Sequence, residues 1–421
     1  MATPQTVPGD VIELQVGGIA AGGGCVGHGP DGRVVFVRHS LPGERVRARI
    51  TSETTSFLRA DAVEVLEPSP DRVEPVCPHA GPGRCGGCDF QHVAPSAQRR
   101  LKEDLVAEQL ARVGGVDLRV EVEDVGGAPG GLGWRTRVGF AVDRDGTVGL
   151  RRHRSHDIEP VTTCPIATDG VNAASVASVR WVGARQLEVL ASPDSETPVV
   201  LVDTGKHRLD GLPDVPAGLV WKGRTLRAPD QVEFVVSGHR YAVHAGVFWQ
   251  VHPRAAEVLT AAVLDGLGPR PGERAADLYA GAGLFTVALA RAVGPSGSVV
   301  AVERSGPAVA DLRRNAGGFA QVEVIRAGVA AGLVAKGLGH PDVVVLDPAR
   351  AGVGPEVLGA LSALDPGPRR IAYVSCEPAP FARDLKFLLA AGWGLTSLRA
   401  FDLFPMTEHV ELVGILERTA V

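Results

Sequence analysis

One cysteine, Cys376, stands in the run RIAYVSCEP, directly after a β-branched apolar stretch and just before Pro378. A thiol at the carboxyl end of a buried parallel strand is where reacting groups gather in open α/β sheets. An isolated cysteine is more often a small buried hydrophobe than a nucleophile. Here, however, three other polar features fall at equivalent points. The loop Asp277-Leu-Tyr279-Ala-Gly281-Ala-Gly283 joins a strand to a helix, Glu303 ends the next strand, and Asp347 follows the apolar run VVVL. Paired glycines let the backbone turn tightly against a ligand, and an acid about twenty positions on can take ribose hydroxyls. The third glycine of a pyrophosphate-binding loop is missing, so the pattern suits S-adenosylmethionine as well as NAD.

A second group of thiols has ligand character. Cys77, Cys85 and Cys88 follow a C-x7-C-x2-C spacing, and Cys164 precedes Pro165. Four thiolates can hold a [4Fe–4S] cluster or a structural zinc, and spacing does not separate the two. Cys25, in a glycine-rich turn, has no evident partner. The densest basic stretch is Arg135, Arg137, Arg144, Arg151, Arg152 and Arg154 with His153 and His156. It is a candidate surface for RNA phosphates, against the duller reading of a solvated charge run.

These residues need elements to hold them. From about residue 270 strands alternate with helices: AADLY then LFTVALARAV, SVVAVE then AVADLRRNA, DVVVLD then PEVLGALSAL, RIAYVS then FARDLKFLLAAG. Continuous apolar strands in a βα repeat predict an α/β fold with a doubly wound parallel sheet. LTSLRAFDLF and HVELVGILE predict an antiparallel pair at its edge. Residues 9–66 read as about five short strands between glycine-rich turns, a small OB-like barrel that carries Arg33, Arg38, Arg45, Arg47 and Arg49. Residues 96–113 form an amphipathic helix with Leu101, Leu105, Val106, Leu110 and Val113 on one face.

Composition sets the outer limits. The 421 residues exceed one core, and 45% hydrophobic with 22% charged residues is ordinary for a globular protein. We expect a barrel at 1–68, a central β-rich unit at 69–245 whose helix 96–113 can pack on the next unit, and a catalytic unit at 246–421. A net charge of −5 means that any nucleic-acid surface is a local patch. The start lacks the features of a signal peptide, no apolar run spans a bilayer as a helix, and no obligate protein partner is evident. A cytoplasmic location and no membrane partner are therefore expected.

Together the motifs resemble the RNA 5-methyluridine methyltransferase family, closest to its 23S ribosomal-RNA branch with a TRAM barrel and an iron–sulfur cluster. GGGCVGHGPDGRVVFVRHSLPGERV is similar to the TRAM core and CGGCDFQHV to the cluster segment. WRTRVGF and HRSHDIEPVTTC are similar to the central domain. FWQVHP, DLYAGAGLFT, LDPARAG, YVSCEP and FPMTEHVELV match the catalytic motifs in order. The resemblance implies a class I methyltransferase domain, with S-adenosylmethionine as methyl donor and RNA as partner, 23S rRNA ahead of transfer RNA. It implies Cys376 as nucleophile and Glu411 as proton-abstracting base. Gln250, Tyr279, Gly281, Gly283, Glu303 and Asp347 would contact the cofactor or the bound uracil, and Arg135 would face RNA. It also favours iron–sulfur over zinc at Cys77, Cys85, Cys88 and Cys164.

The implied chemistry explains these residue types. Carbon 5 of uracil is a poor nucleophile until a thiolate adds at carbon 6, and cysteine both attacks and leaves well. An ordinary thiol ionises near 8.5, so the site is expected to stabilise the thiolate. Val410, Leu412 and Val413 surround Glu411 with apolar groups, which would raise its pKa. The family pattern is broken at the C-x7-C interval, Leu284, His252, Ala349 and Glu377. No acid lies between Glu323 and Asp342. Leu284 and that missing acid motivate a second reading, a non-catalytic RNA-binding factor with a degenerate methyltransferase domain.

Overall fold

The computed structural model describes residues 6–419. The first six strands are β1 (Val11–Gln15), β2 (Ile19–Ala20), β3 (Gly24–His28), β4 (Val34–Arg38), β5 (Arg45–Glu53) and β6 (Phe57–Glu67). They form one sheet in the order β1-β5-β6-β4-β3-β2. Alternation drives it: along β5, Val46, Ala48 and Ile50 point into the core while Arg45, Arg47 and Arg49 point out. Backbone hydrogen bonds from Gly17 to Val26 and from Val26 to Gly18 tie the segment between β1 and β2 to the far end of the sheet. Most outward arginines are already engaged. Arg45 pairs with Glu13 and Glu67, Arg47 with Glu64, and Arg33 with Asp31 and Glu53.

Helix α1 (Pro95–Gln109) runs on through a π turn to Gly114, and a short strand, β7 (Val122–Glu123), follows. A seven-stranded sheet comes next, built from β8 (Arg137–Val142), β9 (Val148–Arg151), β10 (Ile158–Pro160), β11 (Gln186–Leu190), β12 (Val199–Asp203), β13 (Gly218–Trp221) and β14 (Arg224–Arg227). Its order is β10-β9-β8-β11-β12-β13-β14, and the short helix α2 (Asp169–Ala173) lies between β10 and β11 in sequence. A hairpin, β15 (Gln231–Val236) and β16 (His239–His244), leads into the catalytic sheet.

That sheet comprises β17 (Arg274–Leu278), β18 (Ser298–Glu303), β19 (Val322–Arg326), β20 (Val343–Leu346), β21 (Arg370–Ser375), β22 (Trp393–Phe401) and β23 (Glu411–Arg418). Interleaved helices are α3 (Ala255–Leu267), α4 (Leu284–Val293), α5 (Gly306–Asn315), α6 (Ala331–Gly337), α7 (Pro355–Ser362) and α8 (Pro378–Ala390). With β7 the order is β19-β18-β17-β20-β21-β23-β22-β7, parallel from β19 to β21. The expected antiparallel pair forms, but it is not the outermost element of the sheet. β23 lies inside the sheet between β21 and β22, and β7 forms the edge beyond β22. Burial explains the placement: the first six residues of β23 are all buried, whereas β22 is half exposed.

Helix α1 spans two cores. Leu101 and Leu105 pack with Leu41, Phe90 and Val93, while Val106 and Leu110 join Val122 of β7 and Phe381 and Ala382 of α8. Between these stripes Lys102 is fully buried, its Nζ 2.6 Å from Asp402 Oδ1 and 3.0 Å from the Phe404 carbonyl. Burial lowers the pKa of this ammonium and the facing carboxylate opposes the shift. Removing one member of a buried pair costs about 3–5 kcal/mol, because the other charge is left without a partner. Lys102→Met should therefore lower the denaturation midpoint markedly, and Lys102→Met/Asp402→Leu should recover most of the loss. Equal stability of Lys102→Met and the parent in urea melts would contradict this.

Candidate active site

Cys376 follows β21 and Glu411 opens β23, and Ser375 is in register with Leu412. The antiparallel pairing thus brings the thiol and the carboxyl to the same end of neighbouring strands. Asp347 follows β20 on the same edge. Glu411 is 3% exposed. Burial raises its pKa well above the carboxylate range, and the charges of Asp347 and Glu377 push the same way. Burial, with Asp277 adding to it, pushes Asp347 up to about 7.

The thiol does not follow expectation. Burial pushes Cys376 up to about 12, and Glu411, Glu377 and Asp347 reinforce that shift while Arg350 opposes it. Burial and the surrounding carboxyls thus oppose the stabilised thiolate expected from the sequence. Two features favour ionisation. Cys376 sits just before the N-terminus of α8, the positive end of the helix dipole. Arg350 lies across the turn, its Nε 3.6 Å from Glu377 Oε1, with His409 Nδ1 3.7 Å from the same oxygen. Ser375 braces the turn by donating its hydroxyl to the Glu377 carbonyl at 3.1 Å.

The glycine loop lies at the ends of β17 and β18. Tyr279 holds a left-handed φ of 72°, an uncommon backbone state for a tyrosine. Glu303 accepts from the Gly281 amide at 3.0 Å and the Ser305 amide at 2.6 Å, which fixes its carboxylate beside the loop. A Cβ on Gly281 would meet nothing within 4 Å, so the backbone there borders open space. Gly283 is packed instead: a Cβ would fall 2.7 Å from Leu312 Cδ1. Asp277 was not singled out from the sequence, although it begins the loop. It is fully buried, receives the Thr286 hydroxyl at 2.5 Å, and leaves Oδ1 without a partner. Burial pushes it up to about 7. An orphaned buried acceptor beside an open glycine turn and a fixed carboxylate fits the amino acid and ribose portions of S-adenosylmethionine. Gln250 is buried at 7% exposure. His252 stacks on Trp134 at 6.0 Å, and burial pulls its imidazole down to about 4.

The four candidate ligand cysteines line one cavity of about 490 Å³ with Arg135, Arg152 and His153. Cys85 and Cys88 each feel the charge of Cys164 and Cys77, and burial raises them to about 11 and about 12. Among the described residues no three Cys, His, Asp or Glu side chains converge closely enough to hold a single metal ion. A lone zinc binds thiolates at about 2.3 Å and so draws them together. Four thiols around one cavity are a donor set that either zinc or an iron–sulfur cluster uses. Arg137, expected in the basic surface, is buried in ion pairing instead, its Nη1 2.5 Å from Glu188. Arg135 turns its Nε to the Arg137 carbonyl at 3.2 Å.

Known proteins resemble this chain over its whole length. The family model described as the TRAM domain matches residues 5–63, and that described as tRNA (Uracil-5-)-methyltransferase matches residues 339–419. An RNA methyltransferase of Streptomyces coelicolor is 45% identical over 456 residues, covering 100% of this chain and 95% of the relative. The 23S rRNA (uracil(1939)-C(5))-methyltransferase of Alkalilimnicola ehrlichii is 33% identical, covering 98% of each. The fold is similar to that of the Pyrococcus abyssi tRNA (uracil-54, C5)-methyltransferase solved with S-adenosyl-L-homocysteine. The TM-score is 0.73 at 22% identity, with 96% of this chain and 100% of that one covered.

The buried acids give the site a pH signature. A carboxyl whose pKa is raised on folding contributes stability that is complete below its unfolded value near 4 and is lost as pH climbs through its folded value. For Asp347, at about 7 in the fold, that window runs from about pH 4 to 7. Asp347→Asn should flatten the decline of unfolding free energy there, by up to about 1.4 kcal/mol per pH unit. Parallel stability–pH curves for the variant and the parent would contradict the assignment.

Proposed function

Because the chain belongs to the family of TRAM-domain RNA (uracil-C5) methyltransferases, which depend on S-adenosylmethionine, we propose that it methylates uridine carbon 5 with Cys376 as nucleophile and Glu411 as base. The observation that carries this reading is the register of β21 on β23, which sets a thiol and a buried carboxyl side by side at the edge bearing the glycine loop. Membership of an enzyme family displaces the alternative of a non-catalytic binding factor.

S-adenosylmethionine supplies an electrophilic methyl group when bound. Gly281, Glu303 and the free oxygen of Asp277 are the groups that would hold it, together with Gln250, Tyr279 and Gly283. Cys376 loses its proton and its sulfur bonds to uracil carbon 6, moving an electron pair to carbon 5. Carbon 5 would take the methyl group as the donor's methyl–sulfonium bond breaks to leave a neutral thioether, Glu411 in its ionised form would remove the proton still at carbon 5, and the bond between carbon 6 and sulfur would break to release the Cys376 thiolate. One proton leaves per turnover. Asp347 would hydrogen-bond the edge of the uracil once that base is out of its stack.

The family description over residues 339–419 names a transfer-RNA enzyme, which sets transfer RNA ahead of the 23S rRNA that the resemblance favours. The A. ehrlichii relative keeps 23S rRNA as the second reading. Mass-spectrometric mapping of methyluridine in both RNAs from a deletion strain decides between them. With the purified enzyme, Cys376→Ala should abolish methyl transfer and the covalent RNA adduct while S-adenosylmethionine still binds. Glu411→Gln should slow turnover by about 10²-fold or more and accumulate a denaturation-resistant adduct. Full activity in Cys376→Ala would refute the mechanism.

For Cys77, Cys85, Cys88 and Cys164 the reading is a [4Fe–4S] cluster with a shaping role. An anaerobic preparation should be brown, with broad absorbance near roughly 400 nm that disappears in Cys88→Ser. A colourless zinc-loaded protein would overturn it.

A further inference from the structure

Helix α5 reaches both the glycine loop and the hairpin β15–β16, which lies outside the catalytic sheet. Asp311 and Asn315, four positions apart on one face of α5, are 0% and 5% exposed. Asp311 accepts the His244 amide at 2.9 Å. Asn315 pairs with Ala242 of β16 as a neighbouring strand would. Its Oδ1 accepts the Ala242 amide at 2.9 Å, and its Nδ2 donates to the Ala242 carbonyl at 3.2 Å. Nδ2 carries a second hydrogen, and it goes to the Ala282 carbonyl, between Gly281 and Gly283, at 2.9 Å.

The same hairpin seats the Gln250 segment. Trp249, 4% exposed, stacks on Phe234 of β15 at 5.1 Å and meets Tyr241 of β16 at 5.0 Å. The Tyr241 hydroxyl reaches the Leu284 carbonyl at 3.4 Å. Other bonds in the glycine loop tie it to β18 or to itself. The Tyr279 and Ala280 amides donate to the Val302 carbonyl, the Gly281 amide to Glu303 and the Gly283 amide to the Ala280 carbonyl. Gln250 and the loop are separated in sequence by α3 and β17, so their relative position is set across space. Asn315 bonds to the hairpin and to the loop at once.

We propose that Asn315 is a positioning residue for S-adenosylmethionine: its amide fixes the glycine loop against the hairpin that seats Gln250, and so sets the spacing between the two sides of the cofactor site. The inference rests on the reading of Gly281 and Gln250 as cofactor contacts. A buried carbonyl is costly to leave without its donor, so the loop at Ala282 must move when the amide is removed. Cys376 follows β21, two strands from β17 with β20 between them, and keeps its surroundings.

Calorimetry of the purified full chain with S-adenosyl-L-homocysteine tests this. Asn315→Leu should weaken binding roughly tenfold. Asn315→Asp keeps an acceptor for the Ala242 amide but withdraws the donor, and should weaken binding to a similar degree. In turnover the KM for S-adenosylmethionine should rise while kcat at saturation and the KM for RNA hold. A role confined to stability would instead lower kcat through the folded fraction and leave the affinity alone. Gln321→Leu is the matched control, since Gln321 Nε2 donates to the Ala290 carbonyl near the far end of α4 at 3.0 Å. It should leave the affinity unchanged. Asn315→Leu/Gln250→Ala should lose less than the product of the single losses, because coupled contacts are not independent. Wild-type affinity in both Asn315 variants, an equal loss in Gln321→Leu, or single losses that multiply would overturn the role of Asn315. If the parent chain binds no S-adenosyl-L-homocysteine, the cofactor reading itself fails. If Gln250→Ala weakens binding and the Asn315 variants do not, that reading stands and the positioning role alone is lost.

Discussion

Exclusion of water from one edge of the catalytic sheet fixes the protons with which this site begins. Glu411, Asp347, Asp277 and Cys376 are all raised, and burial is the first cause for each. Four acids that resist ionisation together form a reservoir waiting for positive charge. Arg350 is the cation that acts on Cys376, and its side chain is 69% exposed, so water weakens its pull. A positive charge brought into the interior of the site would lower all four at once. A cationic ligand would therefore favour ionisation of the thiol and of the three carboxyls together.

The segment that delivers Glu411 is held from three directions. Lys102 grips Asp402 at its start. Gln98 receives the Met406 amide at 2.8 Å, and the Met406 carbonyl takes both the Asp89 and Phe90 amides. Glu408 accepts the Gly22 amide at 2.5 Å, which reaches it from the N-terminal sheet. Met406 sits at φ 66°, a costly backbone state that such surroundings can hold in place. Helix α1, the cysteine segment and the N-terminal sheet therefore act on the reaction centre through the loop before β23.

Much of this was legible in the residues. The βα alternation, the thiol at a strand end and the glycine loop followed by Glu303 all survive in three dimensions, because continuous apolar strands leave little choice of topology. Other points depended on neighbours distant in sequence. Nothing local marks Arg137 as buried against Glu188, nor Cys376 as surrounded by carboxyls, since the partners come from other strands. The interior position of β23 did have a signal: ELVGIL is apolar beyond alternation, as an interior strand must be. Asp277 was overlooked because a carboxylate beginning a glycine loop looks like a capping residue until its unpartnered oxygen is seen.

The insertion of β23 between β21 and β22 has a consequence for biosynthesis. Both flanking strands leave the ribosome before the strand that separates them, so each presents an unpaired edge during synthesis. β7, made far earlier, pairs only with β22, which is joined to the rest of the sheet through β23. The carboxyl beside the thiol arrives with that late strand, so the pair is assembled last. The open edges are the point at which misassembly competes with folding.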